Sequence, residues 1–362
     1  MTREILTAVV TAPGEPPVLR PALLADPAPD EVIVRLAATG LCATDLHFAH
    51  ELPGPSVLGH EGAGYVEDVG SAVRGFAPGD KVLATFAHCG TCRTCASGEP
   101  AYCNDFDRLN FGGARLDGTS ALSIDGAHPY GHFLGQSAFA THMAVRASSL
   151  VRLPDHVDPV VVAPYGCGLM TGAGAVFNVL RPGPTDAVAV FGAGAVGLAA
   201  TMAAVAAGAR EVIVVDLNDE RLVLAAELGA TRTVNPSHHD LAALLADVAP
   251  DGVDRSVDTT GVASVLRTAV DCLGRRGTCA VVGVAGEDTI SLDWRSVLNG
   301  RTVTGVISGS SRPATMIPDL IRLHDAGRFR AEKFVRTYEF TDIAQAWNDT
   351  RSGAVVKAVL TF

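Results

Sequence analysis

Charged and aromatic residues are both scarce in this chain of 362 residues, at 19% and 6%. Basic residues are also outnumbered, because 28 Lys and Arg face 39 Asp and Glu, which gives a formal net charge of −11 at pH 7. Proteins that bind nucleic acid or anionic membranes normally present a basic face, so this balance argues against both kinds of partner. With 48% hydrophobic residues, the composition also excludes an intrinsically disordered chain.

Long hydrophobic runs are rare as well. The opening segment has no long apolar stretch after a basic one, so we expect no signal peptide and a cytoplasmic location. The uncharged stretch Ala187–Ala209 has the length of a membrane span, but it consists mostly of Ala, Gly and Val and contains a glycine-rich loop. A buried strand followed by a buried helix is the interpretation we favour.

The chain is too long for one core, since single cores stop growing near ~250–300 residues, and we predict two domains. Short Val/Ile/Leu runs broken by Gly and Pro indicate a β-rich first part, and residues 104–136 are predicted to form an irregular lobe. From about Tyr165, strand-like and helical runs alternate, which predicts a parallel sheet covered by helices. The predicted strands there are 187–192, 211–216, 253–258, 278–284 and 301–307, and the helices are 196–207, 220–228 and 263–273.

A dinucleotide-binding pattern lies in this second part. The strand-like run Ala187–Phe191 leads into the G-x-G-x-x-G motif Gly192, Gly194 and Gly197, and a helical run follows. The three glycines suit a tight turn, the approach of a pyrophosphate and close helix packing, in that order. A second strand-like run ends at Asp216, whose carboxylate would accept the ribose hydroxyls of NAD and repel the 2′-phosphate of NADP. The alternative for Asp216 is an ordinary helix-capping acid.

Four cysteines lie close together in Cys89-x2-Cys92-x2-Cys95-x7-Cys103. Four thiolates can complete a tetrahedron around Zn²⁺ with no open position, which predicts a structural zinc site in the lobe 86–104. Four free buried thiols are the alternative. A redox C-x-x-C motif fits less well, because that motif belongs at the start of a helix.

Cys42, His60 and Cys167 are individually uninformative, because a lone Cys or His is usually a core or surface residue. Their surroundings, however, resemble the zinc-dependent medium-chain alcohol dehydrogenases. The segment Gly59-His60-Glu61-x-x-Gly64-x5-Gly70-x2-Val73 is similar to that family's zinc signature, and the cysteine lobe and NAD motif follow at the family's spacing. The resemblance covers nearly the whole chain and implies an α/β protein with a Rossmann doubly wound parallel sheet and a β-rich GroES-like catalytic domain.

The resemblance also implies a role for individual residues. Cys42, His60 and Cys167 would ligate a catalytic Zn²⁺, Glu61 would ligate it transiently, and Asp45 would orient a ligand. Thr44 would receive the alcohol proton and His47 would pass it to solvent through the cofactor ribose. On the cofactor side, the resemblance implies Thr171 against the nicotinamide and Lys357 on the pyrophosphate. The expected cofactor-binding residues also include the loop residues Gly192, Gly194, Val196 and Gly197, with Asp216 at the ribose and Arg221 over the adenosine side.

The long lobe is similar to that of the aryl-alcohol (benzyl alcohol) and geraniol dehydrogenase branch, in particular 110–118 and 131–142. This branch implies a bulky aromatic or allylic primary alcohol as substrate, with Phe86, Leu109 and Phe111 lining an apolar pocket. Packing of the lobe core is the alternative for these three residues. Thiol-adduct formaldehyde dehydrogenases and biosynthetic aldehyde reductases of the same family remain alternatives, as does a non-catalytic zinc and NAD-binding module.

The sequence thus predicts a catalytic domain formed by 1–164 and 308–362 and a cofactor domain formed by 165–307. We expect two Zn²⁺ per chain, one catalytic and one structural, and NAD as cofactor. The expected partner is a small-molecule alcohol or aldehyde, with no nucleic acid and no membrane. The family resemblance further implies a homodimer, with a homotetramer as the alternative.

Overall fold

The computed structural model describes residues 2–283 and 289–362, except for the side chain of Ala246. The strands are β1 (Thr2–Val9), β2 (Val18–Ala25), β3 (Glu31–Leu41), β4 (Gly62–Val69), β5 (Lys81–Ala84), β6 (Leu122–Ser123), β7 (His142–Arg146), β8 (Leu150–Arg152), β9 (Ala187–Phe191), β10 (Glu211–Val215), β11 (Arg232–Val234), β12 (Val253–Asp258), β13 (Leu273–Val281), β14 (Thr302–Gly305), β15 (Val335–Glu339) and β16 (Lys357–Thr361).

Helices connect these strands. They are α1 (Ala43–Glu51), α2 (Arg93–Ala96), α3 (Phe106–Phe111), α4 (Pro159–Val162), α5 (Gly168–Gly174), α6 (Ala195–Ala207), α7 (Asp219–Glu227), α8 (Leu241–Val248), α9 (Ala263–Asp271), α10 (Trp294–Leu298), α11 (Pro313–Asp325) and α12 (Ile343–Ser352). Short 3₁₀ turns occupy Pro100–Tyr102, Phe133–Gly135, Ala147–Ser149, Ala163–Gly166, Ser308–Ser310, Ala331–Lys333 and Phe340–Asp342, and a π-helical turn occupies Ala175–Leu180.

The described residues form two compact units. The first contains residues 2–167, 312–319 and 334–362, and the second contains the described part of 168–311 together with 320–333. The first boundary lies within three residues of the predicted one. The return of the chain differs from the prediction, because 320–333, which includes the end of α11, belongs to the second unit rather than the first.

The first unit is β-rich. One sheet has the strand order β15-β16-β3-β4-β5-β8, with β7 also paired to β3, and a smaller sheet has the order β1-β2-β6. The central strand β3 is buried along most of its length, and it pairs antiparallel with β4, β7 and β16. Most positions of this strand carry Val, Ile, Leu or Ala, and its one exposed residue is Arg35. This strand carries the chain to the candidate site at Cys42.

The second unit contains a six-stranded sheet with the order β11-β10-β9-β12-β13-β14, in which every pair is parallel. The order reverses between β9 and β12, which makes the carboxyl end of β9 the switch point of a doubly wound fold. The apolar stretch 187–209 is therefore a strand followed by a helix, as predicted. Among the described residues, no single helix is both long and apolar enough to cross a membrane.

Most predicted elements lie within a few residues of the observed ones, and β12 has the predicted bounds. Strand β13 ends at Val281, whereas the prediction extended to Val284, which lies outside the described residues. The prediction missed β11 and α8. It also treated 104–136 as wholly irregular, although α3 and the short strand β6 lie there.

Candidate active site

Four side chains from three separate segments meet in the first unit. The ligand-type atoms of Cys42, His60, Glu61 and Cys167 all lie within 4.8 Å of one another. Cys42 caps the amino end of α1 directly after β3, His60 and Glu61 immediately precede β4, and Cys167 follows a 3₁₀ turn. The fold thus brings together the residues that spacing alone could not join.

Asp45 connects two of these segments. It is fully buried, and its Oδ2 accepts the Cys42 backbone N–H at 2.9 Å while its Oδ1 accepts the Gly59 N–H at 3.0 Å. The same Oδ1 lies 3.0 Å from Nδ1 of His60. A carboxylate on one imidazole nitrogen fixes the ring orientation and leaves the other nitrogen available as a ligand. Asp45 therefore lies where it can orient the imidazole of His60.

The other nitrogen of His60, Nε2, is buried and has no hydrogen-bond partner among the described residues. A buried polar atom left unpaired is costly, so an orphan that points at two sulfurs indicates a missing ligand. Hydrogen bonding with Cys167 lowers the pKa of the Cys42 thiol well below its usual value and raises that of Cys167. The Cys42 thiolate therefore disfavours ionisation of Cys167, and a divalent cation would offset the repulsion between two thiolates. Two sulfurs and an imidazole nitrogen are a donor set that suits Zn²⁺.

Glu61 is fully buried and pairs with Lys357. The Lys357 ammonium donates to both Glu61 carboxylate oxygens at 2.9 Å and to the carbonyl of Leu41 at 3.1 Å. Burial is the main cause that raises the pKa of Glu61 to about 7, even though Lys357 opposes it. The position of the Glu61 side chain also requires a glycine at residue 40, because a Cβ on Gly40 would lie 1.8 Å from Oε2 of Glu61.

This pairing corrects the expectation for Lys357. Its side chain is 2% exposed, and its three donors are all occupied within the first unit. An ammonium that is saturated and buried in this way cannot contact a pyrophosphate. In the structure, Lys357 is the counter-ion of Glu61.

Helix α1 carries the two residues of the predicted proton path. The Thr44 hydroxyl oxygen lies 3.6 Å from the sulfur of Cys42. His47 is three residues further on, so it projects from the same side of the helix. Its Nε2 lies 3.3 Å from a carboxylate oxygen of Glu51, and the side chain is 37% exposed. Thr44 thus lies at the cluster and His47 at the surface.

A group of phenylalanine rings, which we call the aromatic group, lies beside His60. It consists of Phe48, Phe86, Phe106, Phe111 and Phe133, joined by ring contacts with centroid separations of 4.6–6.3 Å. The Phe133 ring meets the imidazole of His60 edge-on at 5.5 Å. Two of the predicted pocket residues, Phe86 and Phe111, belong to this group. The third does not: Leu109 packs in the core of the cysteine lobe, with Ala87 and Cys103.

The four cysteines of the lobe also converge, since the sulfurs of Cys89, Cys92, Cys95 and Cys103 lie within 4.8 Å of one another. Two sulfur pairs are 3.9 Å apart, too far for disulfides. Backbone N–H groups donate to the sulfurs of Cys89, Cys92 and Cys103. A hydrogen bond from Thr94 is the main cause that lowers the pKa of Cys92 to about 5. Burial, in contrast, raises the pKa of Cys95 to about 12 and also raises that of Cys103, a cost that a cation shared by the four sulfurs would offset.

The glycine-rich loop follows β9 in the second unit. Gly192 has φ +94°, and a Cβ on Gly197 would lie 1.8 Å from the carbonyl oxygen of Gly192, so both positions require glycine. A Cβ on Gly194 would meet nothing within 4 Å, which leaves room for a ligand at the amino end of α6. Unpaired N–H groups and the helix dipole make that end suitable for phosphate. This arrangement fits a dinucleotide.

Asp216 lies at the end of β10, beside this loop. One carboxylate oxygen accepts the N–H of Ala193, inside the loop, at 2.6 Å, and the other accepts that of Asn218 at 2.8 Å. The side chain of Asn218, rather than Asp216, caps α7 by accepting the N–H of Arg221. The helix-capping alternative for Asp216 is therefore wrong. Of the remaining predicted cofactor residues, Val196 lies in the first turn of α6, Arg221 in the first turn of α7 and Thr171 in α5.

Comparison with known proteins decides the family. Residues 28–155 match the family model of the alcohol dehydrogenase GroES-like domain, and residues 195–325 match that of zinc-binding dehydrogenases. A geraniol dehydrogenase of Castellaniella defragrans is 39% identical over 98% of this chain and 97% of its own length. This chain belongs to the zinc-binding alcohol dehydrogenase family. It has the family's α/β fold, with a Rossmann-like parallel sheet and a GroES-like domain.

Solved structures of the family agree. An alcohol dehydrogenase zinc-binding domain protein from Burkholderia ambifaria has a TM-score of 0.97 and 43% identity over the whole of both chains. The benzyl alcohol dehydrogenase of Acinetobacter calcoaceticus has a TM-score of 0.95 and 38% identity over 99% of each chain. The resemblance to the aryl-alcohol and geraniol dehydrogenase branch is thus confirmed.

The sequence analysis missed several residues at this candidate site. Phe48, Phe106 and Phe133 complete the aromatic group, and Gln136 contacts the backbone on both sides of Glu61. Phe48 lies one helical turn after Thr44, so helical spacing from a predicted site residue was an available signal. The loop positions Phe133 and Gln136 offered no such periodicity.

Proposed function

We propose that this protein interconverts primary alcohols and aldehydes with NAD as hydride carrier and zinc as catalytic metal, and that its substrates are aromatic or allylic. The observation that carries the proposal is the aromatic group, whose Phe133 ring contacts His60 beside the orphaned Nε2. Aromatic rings pack favourably edge-to-face or offset, so such a wall selects a flat apolar substrate. The similarity to a geraniol dehydrogenase and a benzyl alcohol dehydrogenase supports the same substrate class.

The catalytic metal would be held by Cys42, His60 and Cys167, three ligands that leave one position open. Zinc at such a site polarises an alcohol or carbonyl oxygen and lowers the pKa of a bound hydroxyl. The chain's own residues complete the reaction. Thr44 accepts the substrate hydroxyl proton as it gives up its own, and His47 at the surface releases a proton to solvent. Asp45 keeps His60 oriented, and Glu61 provides a further carboxylate ligand close to the metal.

The cofactor would lie on the loop Gly192–Gly197, with its pyrophosphate at the amino end of α6 and its ribose hydroxyls on Asp216. NAD supplies the hydride chemistry, and the protein orients the nicotinamide, for which Thr171 is the candidate contact. The charge of Asp216 favours NAD over NADP, because a 2′-phosphate would lie against a carboxylate. The cysteines of the lobe would hold a second, structural zinc, which gives two per chain.

A substrate panel tests the proposal. Benzyl alcohol, cinnamyl alcohol, geraniol, ethanol, sorbitol and a hydroxymethyl thiol adduct are each offered with NAD⁺ and NADP⁺, with zinc analysis of the same sample. We expect two zinc per chain and the highest kcat/KM for the aromatic and allylic alcohols with NAD⁺. Preference for the thiol adduct would replace the substrate class, and one zinc without activity would favour the non-catalytic module.

Two variants attribute the result to the site. Cys42→Ser should abolish turnover and leave NAD binding intact, and unchanged kcat would contradict its role as a ligand. Phe111→Ala should lower kcat/KM for benzyl alcohol about tenfold or more and that for ethanol much less, since an aromatic pair and its buried area are lost. Phe362→Ala is the matched control, because Phe362 stacks on Phe340 outside the aromatic group.

A further inference from the structure

The segment that carries His60 lies against residues 136–139, and hydrogen bonds to its backbone hold the two segments together. The carbonyls of Val57, Leu58 and Gly59 accept, in turn, from the Ser137 hydroxyl at 2.6 Å, the Phe139 N–H at 2.9 Å and the Ala138 N–H at 2.8 Å. This pairing stops one residue short of His60. The two backbone groups that flank Glu61 therefore need partners from elsewhere.

The side chain of Gln136 provides both partners. Its Nε2 donates to the carbonyl of His60 at 2.9 Å, and its Oε1 accepts the N–H of Gly62 at 3.1 Å. Only 3% of the residue is exposed, so water does not compete for these bonds. Between these two contacts, the Glu61 carbonyl accepts the N–H of Gly40 at 3.1 Å. Three hydrogen bonds thus hold the backbone around the His60–Glu61 pair, and Gln136 makes two of them.

The loop that presents Gln136 is held in a conformation few residues adopt. His132, Leu134 and Ser137 have φ values of 52°, 49° and 55°, although none of them is glycine. Such residues persist only where the surroundings over-determine them, and they cluster at functional sites. Here the Ser137 hydroxyl accepts the Phe133 N–H at 3.0 Å while it donates to Val57. The loop therefore fixes Phe133 and Gln136 together against His60.

We infer that Gln136 is a positioning residue for the metal site: its amide holds the His60–Glu61 backbone so that the imidazole and the carboxylate face Cys42 and Cys167. The inference rests on the proposed catalytic zinc. Asp45 fixes the His60 ring from its side-chain end, and Gln136 fixes the same residue from its backbone end. Groups that orient metal ligands typically contribute 10–100-fold to metal affinity or activity when they are removed.

The experiment measures metal release from the intact protein. Chelator-driven release is followed in wild type and in Gln136→Met, which keeps the volume and removes both hydrogen bonds, and the kinetic phase of this site is the one absent from Cys42→Ser. We expect Gln136→Met to release this metal about 10–100-fold faster. We also expect the visible spectrum of its cobalt-substituted form to shift, because that spectrum reports ligand geometry.

Asn110→Leu is the matched control. The Asn110 amide, likewise buried, bonds both backbone groups of Ala87 at 2.8 and 2.9 Å, but it does not contact the cluster. The control should lose comparable stability and keep the wild-type release rate and cobalt spectrum. If both variants accelerate release equally, Gln136 has only a general structural role and the inference is wrong.

Wild type that lacks the Cys42-dependent phase would overturn the proposed zinc site itself. A normal wild-type phase with an unchanged rate in Gln136→Met would overturn only the role of Gln136.

Discussion

Several charged or titratable side chains are buried in the first unit, and the pair Lys357 and Glu61 makes a measurable demand on its surroundings. Lys357 and Glu61 form an ion pair that is 2% and 0% exposed at its two side chains. A buried pair adds little net stability compared with apolar residues of the same volume, but removal of one partner leaves an uncompensated charge. The retention of this pair beside two cysteines and a histidine is therefore better explained by function than by stability.

Lys357→Met tests this account. The change leaves the Glu61 carboxylate buried without its cation, so we expect the free energy of unfolding to fall by about 3–5 kcal/mol. The double variant Lys357→Met/Glu61→Leu removes the orphaned charge and should recover most of the loss, although not the activity. Urea unfolding of the single and double variants measures both effects. A single variant as stable as wild type would show that Glu61 simply accepts a proton.

His132 makes the free energy of unfolding depend on pH. It is 9% exposed, its Nε2 accepts the N–H of Ala121, and burial is the main cause that lowers its pKa from 6.5 to about 4. Between pH 6.5 and 4, His132 therefore binds a proton in the unfolded chain but stays neutral in the folded chain. Stability from this group is complete above pH 6.5 and is lost as the pH falls toward 4.

The size of the effect follows from the shift. Between pH 7 and pH 5, this group should lower the free energy of unfolding by about 2 kcal/mol. His132→Asn, which tolerates the left-handed backbone, should lose less stability over that interval than wild type by about this amount. Urea titrations at the two pH values measure the difference, with His239→Asn at an exposed position as control. Equal losses in wild type and His132→Asn would show that His132 does not titrate as proposed.

Asp216 is the residue-scale determinant of the proposed cofactor preference. Because its carboxylate also accepts two backbone N–H groups, deletion to glycine would disturb the loop as well as the charge. Asp216→Asn removes the charge and keeps one acceptor oxygen, so it loses one of the two backbone hydrogen bonds but disturbs the loop less than glycine would. We expect the NAD/NADP ratio of kcat/KM to fall at least tenfold, chiefly through weaker repulsion of the 2′-phosphate. An unchanged ratio would mean that the ribose lies elsewhere.

At the scale of elements, the two glycines at the start of α6 separate folding from ligand binding. Gly197 is packed against Gly192, whereas Gly194 faces open space. Gly194→Ala should therefore keep the stability of wild type, since its φ of −75° suits any residue, but it should weaken NAD binding about tenfold by occupying the approach of the pyrophosphate.

Gly183→Ala is the control, because a Cβ there also meets nothing within 4 Å and the position is remote from the loop. Thermal unfolding and NAD titration of both variants measure the comparison. If Gly194→Ala binds NAD as tightly as Gly183→Ala does, the pyrophosphate does not approach this loop. If instead Gly194→Ala unfolds at a markedly lower temperature, the space at Gly194 is needed by the fold itself.

The contrast between short-range and long-range contacts explains how much of the fold could be predicted from the sequence. The alternation of strand-like and helical runs, and the local pattern Gly192–Gly197, predicted the parallel sheet because periodicity and turn chemistry are short-range properties. The lobe cysteines were predicted for the same reason. Strand β11 was not predicted because its three residues, Arg232–Val234, are too few to show a periodic hydrophobic pattern.

The centre formed by Cys42, His60 and Cys167 could not be derived from spacing, since β3, β4 and a distant turn bring it together, and only the family resemblance assembled it. Lys357 was misplaced for a related reason. A lysine near a chain end is normally exposed, and only β16, paired between β3 and β15, reveals that it is buried beside Glu61. The two hydrogen bonds of the Gln136 side chain depend on a loop with left-handed backbone conformations, which no sequence periodicity predicts.

At the scale of the whole molecule, the expectation that remains is the assembly of two chains into a homodimer. The edge strand β14 pairs with β13 on one side, and within the described residues no strand covers its other side. Large apolar side chains are exposed around this edge: Trp294 is 64% exposed, Leu298 73% and Ile307 44%. Unprotected edges and contiguous apolar patches mark surfaces that another chain covers. If the chain forms the homodimer that the family resemblance implies, we expect this edge to be its interface.

A charge at this edge tests the proposal. Leu298→Asp places a carboxylate that would have to be desolvated on association, so we expect the dimer to dissociate at least 100-fold more readily while the zinc content stays at two per chain. Val223→Asp is the matched control, because Val223 is 61% exposed on α7 and lies outside the patch. Light scattering over a concentration series gives the mass of each. Dimers of equal strength in both variants would place the interface elsewhere. A monomeric wild type would leave the patch as the surface for a different partner, since exposed apolar area of this kind is costly in a free protein.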